Sequence, residues 1–136
     1  MKIHCSYITS RGKIRLNNED SILVGDRLIA ISEKIFHETI EEDSILFAVA
    51  DGMGGHSSGD VASRTVISSL IGSVPINYSE TKKKILKAKS NLEIAGEAIY
   101  SKKNIGTTLS GISFSGDRCI VFHSGDSRIY RLRGSE

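Results

Sequence analysis

An apolar run that ends in an Asp-Gly pair constrains the fold of this chain more than any other feature. Residues 45–50 read Ile-Leu-Phe-Ala-Val-Ala, and Asp51-Gly52 follows them directly. A continuous apolar run of this length is typical of a strand buried on both faces. Such a strand delivers a carboxylate and an unshielded glycine carbonyl to its end. Two hard oxygen donors side by side suit Mg²⁺ or Mn²⁺.

A helix is predicted directly after this turn. Ser57 and Asp60 have the spacing of a capping box, and the helix that they open would direct backbone N–H groups toward the same corner, which favours a phosphate. Gly72 and Pro75 end the helix. Its apolar residues recur at helical spacing: Val61, Ala62, Val66, Leu70 and Ile71.

Strand patterns dominate the N-terminal part of the chain. Residues 2–9 alternate apolar and polar side chains, as a half-buried strand does. Two short apolar segments flank Gly25-Asp26-Arg27, which predicts a hairpin. The stretch 33–43 is acidic and irregular in pattern, and we interpret it as a loop.

A second helix and a group of strands complete the chain. Apolar residues at helical spacing predict a helix from Ser79 to near Asn104, whose apolar stripe faces the core. A coiled-coil seam is the alternative, and it is less favoured because systematic opposite charges do not flank the stripe. Beyond Gly106 the period changes to two, which predicts a β-meander that ends with a strand at 129–132. No repeat or linker divides residues 1–136, so we assign them to one domain.

The composition excludes several classes of protein. A formal charge of +2 on 136 residues is too small to indicate nucleic-acid binding. No stretch approaches the roughly 20 apolar residues that span a bilayer, so we expect no membrane association. Cys5 and Cys119 lie in apolar stretches, where we expect buried, reduced thiols and not a disulfide. These features predict a cytoplasmic protein.

Four groups of polar residues fall at predicted strand ends or turns. They are Arg15 with Asn18-Glu19-Asp20, Asp51-Gly52, Gly106-Thr107-Thr108, and Gly125-Asp126-Ser127-Arg128. Glu19 and Asp20 project to opposite faces of an extended chain, so one can bind an ion while the other orients its neighbours. Arg15 has the guanidinium fork that holds a phosphate. Any one group alone is also typical of a surface turn, so the prediction depends on all four occurring together.

These motifs, taken in order, make the chain resemble the metal-dependent serine/threonine phosphatases of the PPM or PP2C type in their bacterial form. The matching segments are 15–21 (RLNNEDS), 47–56 (FAVADGMGGH), 106–108 (GTT) and 123–130 (HSGDSRIY). The resemblance implies an α+β fold, a four-layer α-β-β-α sandwich. Here the sandwich would be incomplete, with two long helices plus antiparallel strands.

The resemblance also implies a set of metal ligands. Asp51 would bridge two Mn²⁺ or Mg²⁺ ions, and the carbonyl of Gly52 would bind one of them. Glu19 would be a ligand of that ion directly or through water, with Asp20 supporting the shell. Asp126 would help to bind a third, weaker ion.

The mechanism that the resemblance implies uses water as the nucleophile. Two divalent cations lower the pKa of a shared water, and the hydroxide attacks phosphorus in line while the ions and Arg15 offset the developing charge. Met53 stands where many eukaryotic members have the histidine proposed as the general acid, so that role is unassigned. His56 and His123 lie near the motifs and are the candidates.

The family's catalytic domain is roughly twice as long as this chain, and its second half supplies further aspartates to the metal site. We therefore interpret residues 1–136 as the N-terminal portion of such a domain, from a truncated reading frame or an excised piece, and expect weak or absent activity. Its partners would be phosphorylated protein substrates and a Ser/Thr kinase.

Two other functions compete with this interpretation. The first is a catalytically inactive module that binds phosphoprotein or a partner chain and self-associates through the uncovered face of the sandwich. The second, nucleotide binding, is weaker because residues 52–56 fit neither the P-loop nor the dinucleotide fingerprint.

Overall fold

Eight strands and two helices make up the described part of the chain. The computed structural model describes residues 1–53, 58–99 and 105–134. In chain order the elements are β1 (Lys2–Thr9), β2 (Asp20–Val24), β3 (Arg27–Ile29), β4 (Ser32–Glu41), β5 (Ser44–Met53), α1 (Gly59–Leu70), α2 (Tyr78–Ala98), β6 (Gly106–Thr107), β7 (Leu109–Ser115) and β8 (Arg118–Ser124).

The strands form one large sheet and one separate two-stranded ribbon. The large sheet has the order β3-β2-β5-β7-β8, and the short β6 also pairs with β5. Every pairing is antiparallel. β1 and β4 pair with each other and form the ribbon. The end of β5 is therefore flanked by β2 on one side and by β6 on the other.

The predicted hairpin is confirmed. Val24 pairs with Arg27, so Gly25 and Asp26 make a two-residue turn between β2 and β3. Gly25 has φ +62°, a left-handed conformation that glycine adopts without steric cost. The turn joins two strands directly and thereby fixes the register in which β2 meets its neighbours.

The two helices cover one face of the large sheet. α1 packs against β5 and β2, and α2 packs against α1. The predicted apolar stripe of α1 is buried at Ala62, Val66 and Leu70, while Val61 and Ile71 lie at its exposed edges. The core joins sheet and helices through Leu23, Leu46, Ala48, Ala50, Val66, Ile67, Leu70, Ala88, Leu109 and Phe122. With helices on one face and the ribbon on the other, the chain has the incomplete sandwich that the sequence predicted.

The second helix begins one residue before its predicted start. Asn77 caps it by accepting a hydrogen bond from the backbone N–H of Glu80, and the Glu80 carboxylate accepts one from the N–H of Ile76. Ala88 of the predicted stripe is buried, so the stripe does face the core. The predicted end near Asn104 is wrong, because the helix ends at Ala98 and Ile99 is already extended; residues 100–104 lie outside the described residues. No helix in the described ranges is long and apolar enough to cross a membrane.

The prediction of a loop over 33–43 is wrong. Residues Ser32–Glu41 form β4, whose partner is β1. Most side chains of β4 are exposed on both sides, because a two-stranded ribbon does not need one buried apolar face. Without that face the sequence carries no period-two pattern, and the pairing with a strand far away in sequence was not visible.

The prediction that β5 is buried on both faces is right at Ile45, which is buried, but wrong at Val49 on the same face. Leu46, Ala48 and Ala50 face the helices and are buried, whereas Val49 on the other face is 43% exposed. We call this second surface the ribbon face and define it by Phe47, Val49, Ile112, Phe114 and Val121, which the strand registers place on one side of the sheet. The ribbon face is apolar but only partly covered.

Two smaller predictions need correction. Residues 129–132 form no strand, although their alternation is strand-like. Cys119 is exposed and Cys5 is half-buried, so neither thiol is fully buried, and the two are free. Burial raises the pKa of the Cys5 thiol, and the nearby carboxylate of Glu38 raises it further. The Cys5 thiol is therefore held in its protonated form.

The pair Gly111–Phe122 generates a prediction about stability. A Cβ atom added at Gly111 would lie 2.2 Å from the Phe122 ring, which packs over the glycine from the neighbouring strand. We expect Gly111→Ala to lower the free energy of unfolding by about 1–3 kcal/mol, because the ring must leave its position in the core. Urea denaturation measures the change.

The double variant Gly111→Ala, Phe122→Leu is the control for this prediction. The smaller leucine side chain frees the space above residue 111, so the alanine should cost less in the Phe122→Leu background than in the wild type. Equal costs in the two backgrounds would contradict the proposed clash.

Candidate metal centre

Asp20 and Asp51 face each other across two neighbouring strands. Asp20 opens β2, and the register pairs it directly with Asp51 near the end of β5. Cross-strand partners project from the same side of a sheet, so both carboxylates lie on the same face as Val49. There they line a cavity of about 230 Å³, which also includes Ser127 and residues of β1. Two carboxylates thus meet in one concave site.

The two carboxylates repel each other. Burial raises the pKa of Asp20 above its usual value, and the negative charge of Asp51 together with a hydrogen bond shared with Asp51 raises it further. The charge of Glu19 acts in the same direction. A divalent cation between these groups would remove the repulsion, because it replaces a like-charge contact by two attractive ones.

Gly52 and Gly59 bring the start of α1 against the end of β5. A Cβ at Gly52 would lie 1.9 Å from the carbonyl oxygen of Gly59, and a Cβ at Gly59 would lie 2.8 Å from the carbonyl oxygen of Gly52. The same Cβ at Gly59 would lie 2.8 Å from the carboxyl carbon of Glu19. The Gly52 carbonyl and the Glu19 carboxylate therefore both lie against Gly59, where no side chain would fit.

Hydrogen bonds of the backbone and of the Asn18 side chain hold the segment that carries Glu19 and Asp20. The N–H of Gly52 donates to the carbonyl of Glu19 at 3.1 Å. Asn18 donates through Nδ2 to Thr9 Oγ1 and to the carbonyl of Ala30, and its Oδ1 accepts from the N–H of Asp20 at 3.2 Å. The Asn18 side chain thus fixes the approach of the chain to Asp20.

Arg15 and Asp126 lie outside this group. Both are exposed, and neither is among the described residues that line the cavity. Arg15 belongs to the segment between β1 and β2, and Asp126 follows β8. The structure thus pairs Asp20 with Asp51 in the cavity and places Glu19 beside Gly52 next to it, whereas the described contacts join neither Arg15 nor Asp126 to these residues.

Two histidines are the candidates for a general acid, and Met53 marks the position where none stands. Met53 is 56% exposed at the end of β5. His123 on β8 is exposed, and its Nδ1 is 2.8 Å from the hydroxyl of Ser110. His56 and the cap residue Ser57 lie outside the described residues, and the described cap of α1, Ser58, makes no side-chain capping bond.

Sequence reasoning missed two residues of the site, Thr108 and Ser127. Both residues lie in segments that match the family motifs, but the sequence indicated no role for them. In the structure Ser127 lines the cavity and Thr108 contacts Asp51. The sequence signal that could have indicated them is their position in two of the four polar groups, 106–108 and 125–128.

The donors present fit a hard divalent cation. Carboxylate and carbonyl oxygens are the ligands that Mg²⁺ and Mn²⁺ prefer. The opposed carboxylate pair favours a cation, and the Glu19 carboxylate and the Gly52 carbonyl are oxygen donors close to each other beside Gly59. Within the described ranges, no three His, Cys, Asp or Glu side chains already cluster closely enough to hold an ion. The residues present therefore supply a partial ligand set.

Comparison with known proteins identifies the family. Residues 34–136 match the family described as Protein phosphatase 2C. The serine/threonine protein phosphatase PstP of Mycobacterium tuberculosis is 35% identical over 94% of this chain, and the match covers 22% of PstP. The serine/threonine phosphatase stp of Listeria welshimeri is 28% identical over 98% of the chain, which covers 51% of that protein. This chain belongs to the protein phosphatase 2C family.

Solved structures agree with this assignment. The crystal structure of the M. tuberculosis phosphatase PstP/Ppp superposes with a TM-score of 0.71 at 32% identity, covering 93% of this chain and 48% of that one. The PstP catalytic domain in complex with two manganese ions gives a TM-score of 0.70, with 49% of that chain covered. The chain thus spans about half the length of these solved relatives.

The carboxylate pair generates a prediction about pH and stability. We expect Asp20→Asn in EDTA at pH 7 to raise the free energy of unfolding by about 0.2–1 kcal/mol, because a like-charge cross-strand pair is removed. The pKa of Asp20 is raised in the folded state, so the wild type loses stability as pH rises through that pKa. The advantage of the variant should therefore shrink as pH falls, which urea denaturation at several pH values measures.

The exposed Asp43 provides the matched control. Asp43→Asn makes the same chemical change away from the site and should alter stability little at any pH. Mn²⁺ should reverse the order of stability of the wild type and Asp20→Asn, because the ion stabilises the wild type more than the variant. If Asp20→Asn is less stable than the wild type in EDTA at pH 7, the repulsion between Asp20 and Asp51 is contradicted.

Proposed function

We propose that this chain contributes the N-terminal metal-binding half of a phosphatase that hydrolyses phosphoserine and phosphothreonine in proteins. The observation that supports it most directly is the opposed pair Asp20–Asp51, set beside the Gly52 carbonyl in a member of the protein phosphatase 2C family. The relatives are described as serine/threonine phosphatases, and one was solved with two manganese ions.

In this proposal Asp51, Gly52 and Glu19 hold Mn²⁺ or Mg²⁺, and Asp20 supports the ligand shell. Asp51 presents its carboxylate from the end of a strand that is hydrogen-bonded on both sides, so it is rigidly placed. Glu19 approaches Gly59 and the Gly52 carbonyl from the neighbouring segment. When bound, the ions supply a water of lowered pKa as the nucleophile and an electrostatic sink for the transferred phosphoryl group.

Arg15 would bind the substrate phosphate. Its side chain is exposed, and none of the ion pairs among the described residues involves it, so its guanidinium is available to a phosphate oxygen pair. Asp126, exposed after β8, would help to bind a third and weaker ion. Phosphorylated proteins are the proposed substrates, a Ser/Thr kinase is the proposed functional partner, and the cytoplasm is the proposed location.

The isolated chain should be a poor enzyme. Mg²⁺ and Mn²⁺ take about six ligands, and an ion held by few protein oxygens is weakly fixed and weakly activates its water. We expect the 136-residue chain with Mn²⁺ to show weak or absent turnover of p-nitrophenyl phosphate. Robust turnover that disappears in Asp51→Asn would show that these residues suffice.

A chimera tests the function itself. In the chimera, residues 1–134 of this chain replace the matching half of the M. tuberculosis PstP catalytic domain. The other half of that domain supplies the remainder of the fold. We expect Mn²⁺-dependent release of phosphate from a phosphothreonine peptide, lost in Asp51→Asn and retained in Asp43→Asn. A chimera that folds by circular dichroism but releases no phosphate would overturn the proposed function.

A second candidate function is a binding module without catalysis. The ribbon face exposes Val121 to 53%, and β8 stands at the end of the described strand order, so one of its edges has no neighbouring strand there. An open edge beside apolar side chains favours pairing with another chain. The net charge of +2 repels a second copy only weakly.

Self-association follows from this surface. We expect sedimentation to show a dimer or larger species at tens of micromolar, because pairing would satisfy the edge of β8 and cover the ribbon face. Val121→Lys should shift the distribution toward monomer, since a charge at the edge opposes pairing. The solvent-facing substitution Lys83→Glu on α2 is the control, and a wild type that stays monomeric would exclude this module.

A further inference from the structure

We propose that Thr108 and Ser127 are positioning residues, which hold Asp51 and the loop bearing Asp126 in one arrangement for binding a divalent cation. The inference deepens the proposed phosphatase function and rests on it. It concerns two side chains that the ligand set of the site does not include. The evidence is a continuous set of hydrogen bonds and contacts that runs from β5 through Thr108 to the segment after β8.

Thr107 and Thr108 bind both sides of the Asp51 backbone. The N–H of Asp51 donates to Thr108 Oγ1 at 3.0 Å, and the carbonyl of Asp51 accepts from the N–H of Thr108 at 2.9 Å. The same carbonyl accepts from Thr107 Oγ1 at 2.9 Å. Both peptide groups that flank the Asp51 side chain are thereby fixed, and with them the direction of its Cα–Cβ bond.

The segment after β8 wraps around the other side of Thr108. Gly125 has φ +106°, and a Cβ there would lie 2.8 Å from Thr108 Cγ2, so only glycine allows this approach. Two residues later, Ser127 Oγ is 2.7 Å from Thr108 Oγ1. The methyl and the hydroxyl of Thr108 therefore contact the two residues that flank Asp126.

The direction of the hydroxyl bonds follows from burial. Thr108 is 1% exposed, and its oxygen already accepts from the N–H of Asp51. A buried hydroxyl hydrogen needs an acceptor, and Ser127 Oγ is the partner that the described residues provide. Thr108 therefore donates to Ser127, whose own hydrogen is left to point elsewhere. Ser127 lines the cavity with Asp20 and Asp51, so that hydrogen is available to an acceptor there.

A merely structural hydroxyl on β7, the strand that follows Thr108, provides the comparison. Ser113 of β7 is 2% exposed, and its hydroxyl donates to the carbonyl of Pro75 at 2.8 Å. It resembles Thr108 in burial and bonding but contacts no residue of the site. Removing either hydroxyl should cost stability, whereas only removal at Thr108 should change how the chain binds an ion.

The experiment compares four variants of the whole chain: Thr108→Val, Thr108→Ser, Ser127→Ala and Ser113→Ala. Valine keeps the shape of threonine without its hydroxyl, and serine keeps the hydroxyl without the methyl. Mn²⁺ affinity is measured by electron paramagnetic resonance, which reports the free ion, and urea denaturation in EDTA measures stability separately.

We expect Thr108→Val to weaken Mn²⁺ binding about tenfold, since loss of an outer-shell partner costs a metal site roughly 10–100-fold. Ser127→Ala should weaken it less, and Thr108→Ser should restore most of the affinity. Ser113→Ala should lose stability and bind Mn²⁺ as wild type does. Wild-type affinity in Thr108→Val, or an equal loss in Ser113→Ala, would overturn the proposal.

Amide hydrogen exchange in EDTA tests the positioning role of Thr108 without a metal ion, and therefore independently of the proposed function. The Asp51 amide should exchange roughly five- to tenfold faster in Thr108→Val and near the wild-type rate in Thr108→Ser, because its hydrogen-bond acceptor is lost in one and kept in the other. A wild type that binds no Mn²⁺ would overturn the proposed function. Unchanged exchange at Asp51 in Thr108→Val would overturn the positioning role.

Discussion

The antiparallel pairing of β2 with β5 is the interaction on which the rest of the site depends. It places Asp20 opposite Asp51, and both carboxylates project to the same face because side chains alternate along a strand. A slip of one residue would send Asp20 to the helix side, where Ser21 now bonds Ser63 in the core. The hairpin at Gly25 and the buried residues of β2 hold the register, so the acidic pair is stabilised by apolar packing away from the site.

A second constraint connects the helix layer to the same strand end. Gly52 and Gly59 approach so closely that any side chain at either position would collide with backbone. This contact brings the start of α1 and the carboxylate of Glu19 to the Gly52 carbonyl. On the opposite side, Thr108 ties Asp51 to the segment after β8. The site is therefore assembled by three connections to one short piece of β5: the pairing with β2, the close approach of two glycines and the hydrogen bonds of Thr108.

Much of the fold was predictable because its signals are local. The hairpin follows from its turn residues, and the helices follow from apolar spacing and end signals. β4 was missed because its partner, β1, is far away in sequence and because β4, unlike β1, is mostly exposed and carries no alternation. At 129–132 the error is the opposite one, because a strand was predicted where none forms. These residues alternate as a strand does, but they have no partner strand in the described chain. Val49 was expected to be buried, but burial depends on what covers a face, which local pattern does not reveal.

The sequence by itself determined which donors are present and which family the motifs resemble, because residue identity and spacing carry that information. It placed Asp51-Gly52 at a strand end and named Glu19 and Asp20 as partners. Only the tertiary structure decided that these residues meet while Arg15 and Asp126 remain exposed outside the cavity. It also revealed the contacts of Thr108 with Asp51 and Ser127, since hydrogen bonds between residues far apart in sequence form only when the strands are paired and packed.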